Sequence, residues 1–333
     1  MNEIIKKMKK AGLKGRSGGG FPTALKWEIF KKQRARKKYI ICNAAEGEPG
    51  VIKDGYILEK FPQVVVEGIK IALRTFKNSN AFIYLKEDYY QRFKENLQKI
   101  ILGLPISLFC KKGGYLAGEE SVILNVIEGK DPEPRIKPPF PLQVGLWGCP
   151  TLINNVETFY YIAKINRGEY NFCRFYSISG EAKNKGVFEL PENYSIEQIL
   201  KETGNFPGFD FFVQAGGGAV GEILLPHELN QPVRGSGAII IYNKKKTDPF
   251  DLLKKWASFF MQENCDRCLP CREGIFRIWE MIENKKLDKE NLDNLFFVLE
   301  NTSFCGLGRS ASIPFKSLIQ KLNLLENNEK KKN

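Results

Sequence analysis

Three cysteines at one repeated spacing, in CDRCLPC, set Cys265, Cys268 and Cys271 close together, and Cys305 follows 34 residues later in SFCGLG. Thiolates spaced C-x-x-C-x-x-C can wrap three corners of a cube, and one distant cysteine can close the fourth, which is how a chain holds a 4Fe-4S cluster. Structural zinc is the rival reading. Zinc sites usually pair two separated C-x-x-C or H-x-H units around a tetrahedron, whereas here a single cysteine completes the set. The pattern points to a chain that moves electrons.

With 333 residues, 43% of them hydrophobic, the chain is long enough for two or three domains with cores of their own. The N-terminal stretch MNEIIKKMKKAGLKG has no apolar run suited to a signal peptide, and nothing approaches the roughly 20 apolar residues of a membrane span. A cytoplasmic protein without membrane insertion, at most peripheral to a membrane complex, is expected. Eight cysteines are too sparse for a disulfide scaffold. Cys42, Cys110, Cys149 and Cys173 read as buried small hydrophobes. The net charge of +13 gathers in KKMKK, KKQRARKK and the tail EKKKN. None of the three is interleaved with base-stacking aromatics, which argues against nucleic acid and for solvated surface or an acidic partner.

From Tyr39 to about Arg167 short apolar runs alternate with helical patterns, as in an α/β layer structure. YIICNAA (39–45), AFIYLK (81–86) and ISLFC (106–110) read as strands; PQVVVEGIKIALRTF and EDYYQRFKENLQKII carry helical periodicity. Near Cys173 the texture changes to strand, glycine turn, strand and a short helix opened by a capping box from Ser195 to Gln198, the pattern of a β-grasp domain. From Asp248 four apolar stripes, on Phe250/Leu253/Trp256/Phe260, Ile275/Trp279/Ile282, Leu292/Leu295/Phe296/Leu299 and Leu318/Ile319/Leu322, predict a four-helix bundle with the cysteines in its connections. The expected fold is α/β: a Rossmann-like domain over 1–171, a β-grasp domain over 172–246 and a helical bundle over 247–333.

GLKGRSGGGFPTALKW (12–27) is the second strong signal. It lacks a preceding strand and the G-x-G-x-x-G spacing of the usual dinucleotide fingerprint. Gly15, Gly18, Gly19 and Gly20 still let backbone N–H groups close on a phosphate or flavin edge, while Arg16 and Lys26 supply charge and Phe21 and Pro22 stiffen the exit. The loops CNAAEGEPGVIKD, GGYLAGEE, PEPRIKPPFP and GLWGCPTLINNVETF add Asn43, Glu46, Glu48, Glu119, Glu120, Asn154 and Asn155.

In this order the motifs resemble the NADH-oxidising flavoprotein subunit of complex I and its relatives in NAD-linked hydrogenases and formate dehydrogenases. The resemblance spans about Gly12 to Phe315. It implies that FMN is held by Gly15, Arg16, Gly18, Gly19, Gly20, Lys26, Asn43, Tyr115, Gly118, Glu119, Asn154, Asn155 and Thr158. It implies that NADH is bound by Phe21, Glu48, Glu120, Lys137 and Phe140, with the two aromatics flanking adenine, and that Cys265, Cys268, Cys271 and Cys305 hold the 4Fe-4S cluster. A hydride would pass from NADH to FMN, with Glu48 positioning the dinucleotide and no catalytic acid or base, and single electrons would leave through the cluster. The implied partners are a thioredoxin-like 2Fe-2S subunit and a further iron-sulfur or catalytic subunit.

Two positions depart from the family pattern: Ala45 stands where an aspartate is usual, and Ile29 where an aromatic is often found. Alternatives are a flavin-poor iron-sulfur scaffold, for which Ala45 would be the motive, and the NADH-facing subunit of an ion-pumping ferredoxin:NAD oxidoreductase. The latter usually carries two ferredoxin-type cysteine runs, and this chain has one.

Overall fold

The computed structural model describes residues 3–325, and the basic tail 329–333 lies outside them. The chain divides into two compact units. Met1–Gly47, Ile52–Tyr176 and Glu189–Glu192 form the first; Glu48–Val51, Ser177–Phe188 and Asn193–Asn333 form the second.

In the first unit α1 (Glu3–Ala11) and α2 (Thr23–Lys32) precede a sheet of β1 (Lys38–Ala44), β2 (Ser79–Leu85), β3 (Ile106–Cys110) and β4 (Thr151–Asn155). Helices α3 (Lys53–Lys60), α4 (Pro62–Thr75), α5 (Glu87–Ile101) and α6 (Glu120–Ile127) fill the crossovers, and α7 (Val156–Arg167) follows β4. The order is β3-β2-β1-β4, with every pairing parallel. A strand buried on both faces reads as an unbroken apolar run, as the interior β1 does, while the edge strand β3 is largely half-buried yet still falls where the sequence puts it. β4 escapes that reading. It is five residues long, entirely buried, and ends in two asparagines, so neither length nor hydropathy marks it.

A second sheet is five-stranded and mixed, of order β6-β5-β9-β7-β8, built from β5 (Cys173–Gly180), β6 (Gly186–Pro191), β7 (Phe211–Ala215), β8 (Glu222–Leu224) and β9 (Ala238–Asn243). β5 runs parallel to β9, while β9–β7 and β7–β8 are antiparallel. The helix α8 (Ile196–Glu202) starts at the expected capping box: Ser195 accepts from the Gln198 N–H at 3.2 Å, and the Gln198 side chain accepts from the Ser195 N–H at 2.9 Å.

Four helices of the second unit follow: α9 (Pro249–Glu263), α10 (Leu269–Glu283), α11 (Lys289–Thr302) and α12 (Gly306–Lys321). Asp248 caps α9 by accepting from the Phe250 N–H, with Pro249 in the first turn, where its missing N–H costs nothing. Each helix packs on its neighbour and α12 returns to α9, closing a bundle around Phe315, which lies within 6.4 Å of the rings of Trp256, Phe260 and Phe296. The stripe on α10 is shifted from expectation. Ile275, Ile278 and Ile282 face the core, and Trp279 stacks instead on the exposed Phe276 at 5.8 Å. Among the described residues no helix is long and apolar enough to cross a membrane.

Candidate cofactor sites

β1 has β2 on one side and β4 on the other, so the winding reverses between β1 and β4. Open parallel sheets bind ligands beyond the carboxyl ends of the strands at such a switch point. Asn43 and Asn155 are register partners there, and Asn154 stands opposite Cys42 one step earlier. The topology thus brings Asn43 beside an asparagine pair more than a hundred residues later in the sequence.

These asparagines also knit the end of the sheet. Asn43 donates to Gly118 O at 3.0 Å and accepts from the Ala45 N–H at 3.0 Å, joining β1 to the short turn Tyr115–Gly118. Tyr84 holds the same turn through Ala117 O. Asn154 donates to Ile153 O at 2.9 Å and accepts from the Trp27 indole N–H at 3.0 Å. Asn155 caps α7 by accepting from the Glu157 N–H and donates to Asp54.

Beneath them lies a cluster that the sequence did not reveal. Lys53, Asp54 and Glu157 are buried, and the Lys53 ammonium sits 2.7 Å from Asp54 and 3.0 Å from Glu157. Burial opposes the Lys53 charge, yet Asp54, Glu157 and Glu46 together raise its pKa. Glu46 accepts from the Asp54 and Gly55 N–H groups at the start of α3 and from the Tyr89 hydroxyl at 2.6 Å. Burial, reinforced by the Asp54 charge, pushes Glu46 up to about 7. In the sequence Lys53 and Asp54 look like the solvated start of a helix, and their partner Glu157 is about a hundred residues away, so no local pattern announces the cluster.

The glycine loop is closed at its base. Lys14 bridges Pro22, the Gly15 N–H donates to Phe21 O at 2.9 Å, and the Thr23 N–H donates to Leu13 O at 2.9 Å. Gly18 and Gly20 take φ of 117° and 60°, conformations that glycine adopts without penalty. A Cβ at Gly19 would meet no protein atom within 4 Å. Arg16 requires a correction. Read as charge for a ligand phosphate, its guanidinium is instead buried, 2.5 Å from Glu192 and 3.1 Å from the Tyr170 hydroxyl, while its N–H donates to Thr158 Oγ1. Arg16 and Thr158 tie the loop to the unit.

Lys137 donates to Glu119 at 2.6 Å and Glu120 at 2.8 Å, and Lys26 approaches Glu120 at 3.9 Å while donating to Ile153 O. Glu119 also caps α6. Burial works against the Glu120 charge, but Lys26 and Lys137 prevail and hold its pKa below the ordinary value. Phe21 and Phe140 are 45% and 50% exposed in a unit whose other large aromatics are mostly buried. Glu48 belongs to the second unit, where its carboxylate accepts from the Ala219 and Val220 N–H groups.

The four cysteines meet in the bundle. Cys265 lies in the α9–α10 connection, Cys268 is the N-cap of α10, Cys271 sits in that helix's first turn, and Cys305 is the N-cap of α12. The connection is shaped by Asn264, which donates to Phe260 O and Met261 O and accepts from the N–H of Asp266, itself left-handed at φ 56°. Burial, then the neighbouring Cys268, Cys305 and Cys265, push Cys271 up to about 12, so the other three sulfurs lie close enough to bear on it. Among the described residues no three His, Cys, Asp or Glu side chains close on a single metal ion. Two helix N-termini pointing at the site favour its negative charge.

The family model described as "Nuo51 FMN-binding domain" matches residues 8–164, and that described as "NADH-ubiquinone oxidoreductase-F iron-sulfur binding region" matches 251–323. The chain is 33% identical to the NADH-quinone oxidoreductase F subunit of Streptomyces coelicolor, over 95% of this chain and 81% of that protein. It is also 33% identical to the Aquifex aeolicus protein of the same name, over 96% of this chain and 84% of the relative. The chain belongs to the family of NADH-quinone oxidoreductase F subunits. As a family member it is an oxidoreductase subunit with an FMN region and a 4Fe-4S region, and part of a multisubunit assembly. Its fold also matches a chain of the NAD+-reducing [NiFe]-hydrogenase in the H2-reduced state, with a TM-score of 0.89, 28% identity and 97% of this chain covered. It spans 62% of that hydrogenase chain. The family match removes the flavin-poor scaffold and the ion-pumping oxidoreductase as leading alternatives.

Proposed function

We propose that the chain takes electrons from NADH at the β1/β4 switch point and passes them through its cysteine-bound cluster to partner subunits. The observation that carries this reading is the register pairing of Asn43 with Asn155 at the one edge where the parallel sheet reverses. Bound FMN supplies acceptance of a hydride and its release as single electrons, and the 4Fe-4S cluster supplies one-electron carriage. The chain's own residues bind and orient. The backbone of Gly15 to Gly20 would close on a phosphate or the flavin edge, with Lys26, Asn43, Tyr115, Gly118, Glu119, Asn154, Asn155 and Thr158 shaping the pocket. Phe21 and Phe140 receive the adenine, and Lys137, Glu120 and Glu48 the rest of the dinucleotide. Cys265, Cys268, Cys271 and Cys305 hold the cluster. We assign 1–171 to flavin and dinucleotide binding, 172–246 to the β-grasp and 247–333 to the cluster bundle. The partners are a thioredoxin-like 2Fe-2S subunit and a further iron-sulfur or catalytic subunit, in a cytoplasmic assembly.

Dinucleotide choice tests the reading. Glu120, kept ionised by Lys26 and Lys137, would face the adenosine ribose, where NADPH carries a phosphate. Two like charges about 4 Å apart repel by roughly 4 kcal/mol at an effective dielectric near 20. A third of that still gives about tenfold discrimination. NADH is therefore preferred over NADPH in kcat/KM with an artificial one-electron acceptor, and Glu120→Gln narrows the gap by removing the charge and loosening Lys137. Lys137 stays tied to Glu119, so the preference does not invert. A wild-type preference for NADPH, or an unchanged ratio in Glu120→Gln, defeats the assignment.

A further inference from the structure

The segment AGGGAVG after β7 has no role in the reading above. Its turn is closed by the Gly221 N–H donating to Gly217 O at 2.9 Å, and the Gly218 N–H donates to Pro49 O at 2.9 Å. The Ala219 and Val220 N–H groups, at 3.4 and 3.3 Å, converge on Oε1 of Glu48. Successive amides turned toward one point form an anion-holding concavity, and here the anion is a side chain of the protein. Both bonds engage Oε1, which leaves Oε2 as the oxygen available to a ligand.

Gly217 sets how deeply that carboxylate can sit. A Cβ there would lie 1.8 Å from Glu48 Oε1 and 2.3 Å from Cδ, with φ at +155°. A Cβ at Gly218 would lie 2.2 Å from Pro49 O. Seated this way, Glu48 is pushed up to about 7 by burial, which the Val220 and Ala219 amides partly offset.

We propose that the glycine turn 217–221 is the positioning element for Glu48, and that Gly217 governs dinucleotide affinity by leaving room for the Glu48 carboxylate against the Ala219 and Val220 amides. The proposal rests on the reading of Glu48 as a dinucleotide ligand. Gly217 touches no substrate; it acts through Glu48.

The holoenzyme is compared with Gly217→Ala, Glu48→Ala, the double variant and Glu48→Asp. Measured quantities are KM for NADH and kcat with ferricyanide, FMN content, and the melting temperature. Loss of one well-placed hydrogen bond to a charged group is worth about tenfold in KM, so Gly217→Ala raises KM by about that factor, with kcat within about twofold and FMN retained. In the Glu48→Ala background the same glycine change moves KM by less than about twofold, because residues acting through one group are not additive. The backbone strain at φ +155° is common to both backgrounds, so only the clash differs, and the melting temperature lost to Gly217→Ala shrinks in the double variant. Glu48→Asp keeps the charge but is too short to reach the amides, and it raises KM as Glu48→Ala does.

An unchanged KM in Gly217→Ala, an equal rise with and without Glu48, or an Asp variant as good as wild type each overturns the proposal. If Gly217→Ala does not fold, the Asp variant decides. If Glu48→Ala leaves KM unchanged, the ligand role of Glu48 and the affinity claim built on it both fail. Relief of the Gly217→Ala melting loss in the double variant then still separates a correctly placed seat from a wrong one.

Discussion

A Cβ at Gly19 would find open space, and the residue's φ lies outside the left-handed region, so the fold does not require glycine there. If flavin lies over the loop, the ligand does. Gly19→Val is expected to leave the deflavinated protein's melting temperature within about 2 °C, as for an uncontacted surface change. It lowers FMN affinity by at least about tenfold, read by flavin fluorescence titration, because a branched side chain stands where backbone must approach. Retention of full affinity would mean that the loop is not the flavin cradle. At this scale the sequence is legible wherever a residue type has one use. Four cysteines at cluster spacing and a run of three glycines announce themselves. It is illegible where one residue serves two ends. Asn43 and Asn155 stand at the switch point and also brace it, and nothing in the sequence separates those roles. Arg16 fails for a related reason: a guanidinium beside glycines suggests a phosphate, while its partners Glu192 and Tyr170 lie more than 150 residues along the chain.

Elements were legible in proportion to length and periodicity. The helices of the bundle, 14 to 16 residues each, appear as stripes, and the capping box of α8 is a local hydrogen-bonding rule that sequence states outright. The five-residue β4 has no such signature, yet it creates the switch point. The cysteines sit closer to helix starts than their spacing suggests. Cys268 and Cys305 occupy the N-cap positions of two helices, so a cluster held by them would tie α10 to α12 as well as carry charge. Cys305→Ala is therefore expected to lose at least about a quarter of the iron per chain, with a three-iron signal in the electron paramagnetic resonance spectrum, and to loosen the start of α12. Cys149, whose thiol lies 3.8 Å from Trp147 O in a loop of the first unit, serves as the control. Equal iron loss in Cys305→Ala and Cys149→Ala would show that the fourth ligand is another residue.

At the scale of the whole molecule, electron number and charge point to the same need. The family regions supply one site that accepts two electrons at once, over 8–164, and one that carries them singly, over 251–323. A second acceptor outside these regions must empty the cluster between steps. The surface suggests what such an acceptor looks like. Lysine and arginine number 51 against 38 acidic residues, and two of the basic runs lie at the end of α1 and from the end of α2 into β1. A long-range positive field attracts an acidic protein and speeds encounter, and salt screens it over about 8 Å at physiological ionic strength. The chain loaded with both cofactors is therefore expected to reduce ferricyanide with NADH by itself. Reduction of its physiological acceptor is expected only after addition of an acidic iron-sulfur partner, with an association rate that falls at least about tenfold between about 50 and about 500 mM salt. Stopped-flow mixing measures the association, and turnover with each acceptor measures the need for it. Turnover of that acceptor by the isolated chain at the ferricyanide rate would remove the requirement for a partner, and a salt-independent association would mean that its basic runs serve solvation rather than docking.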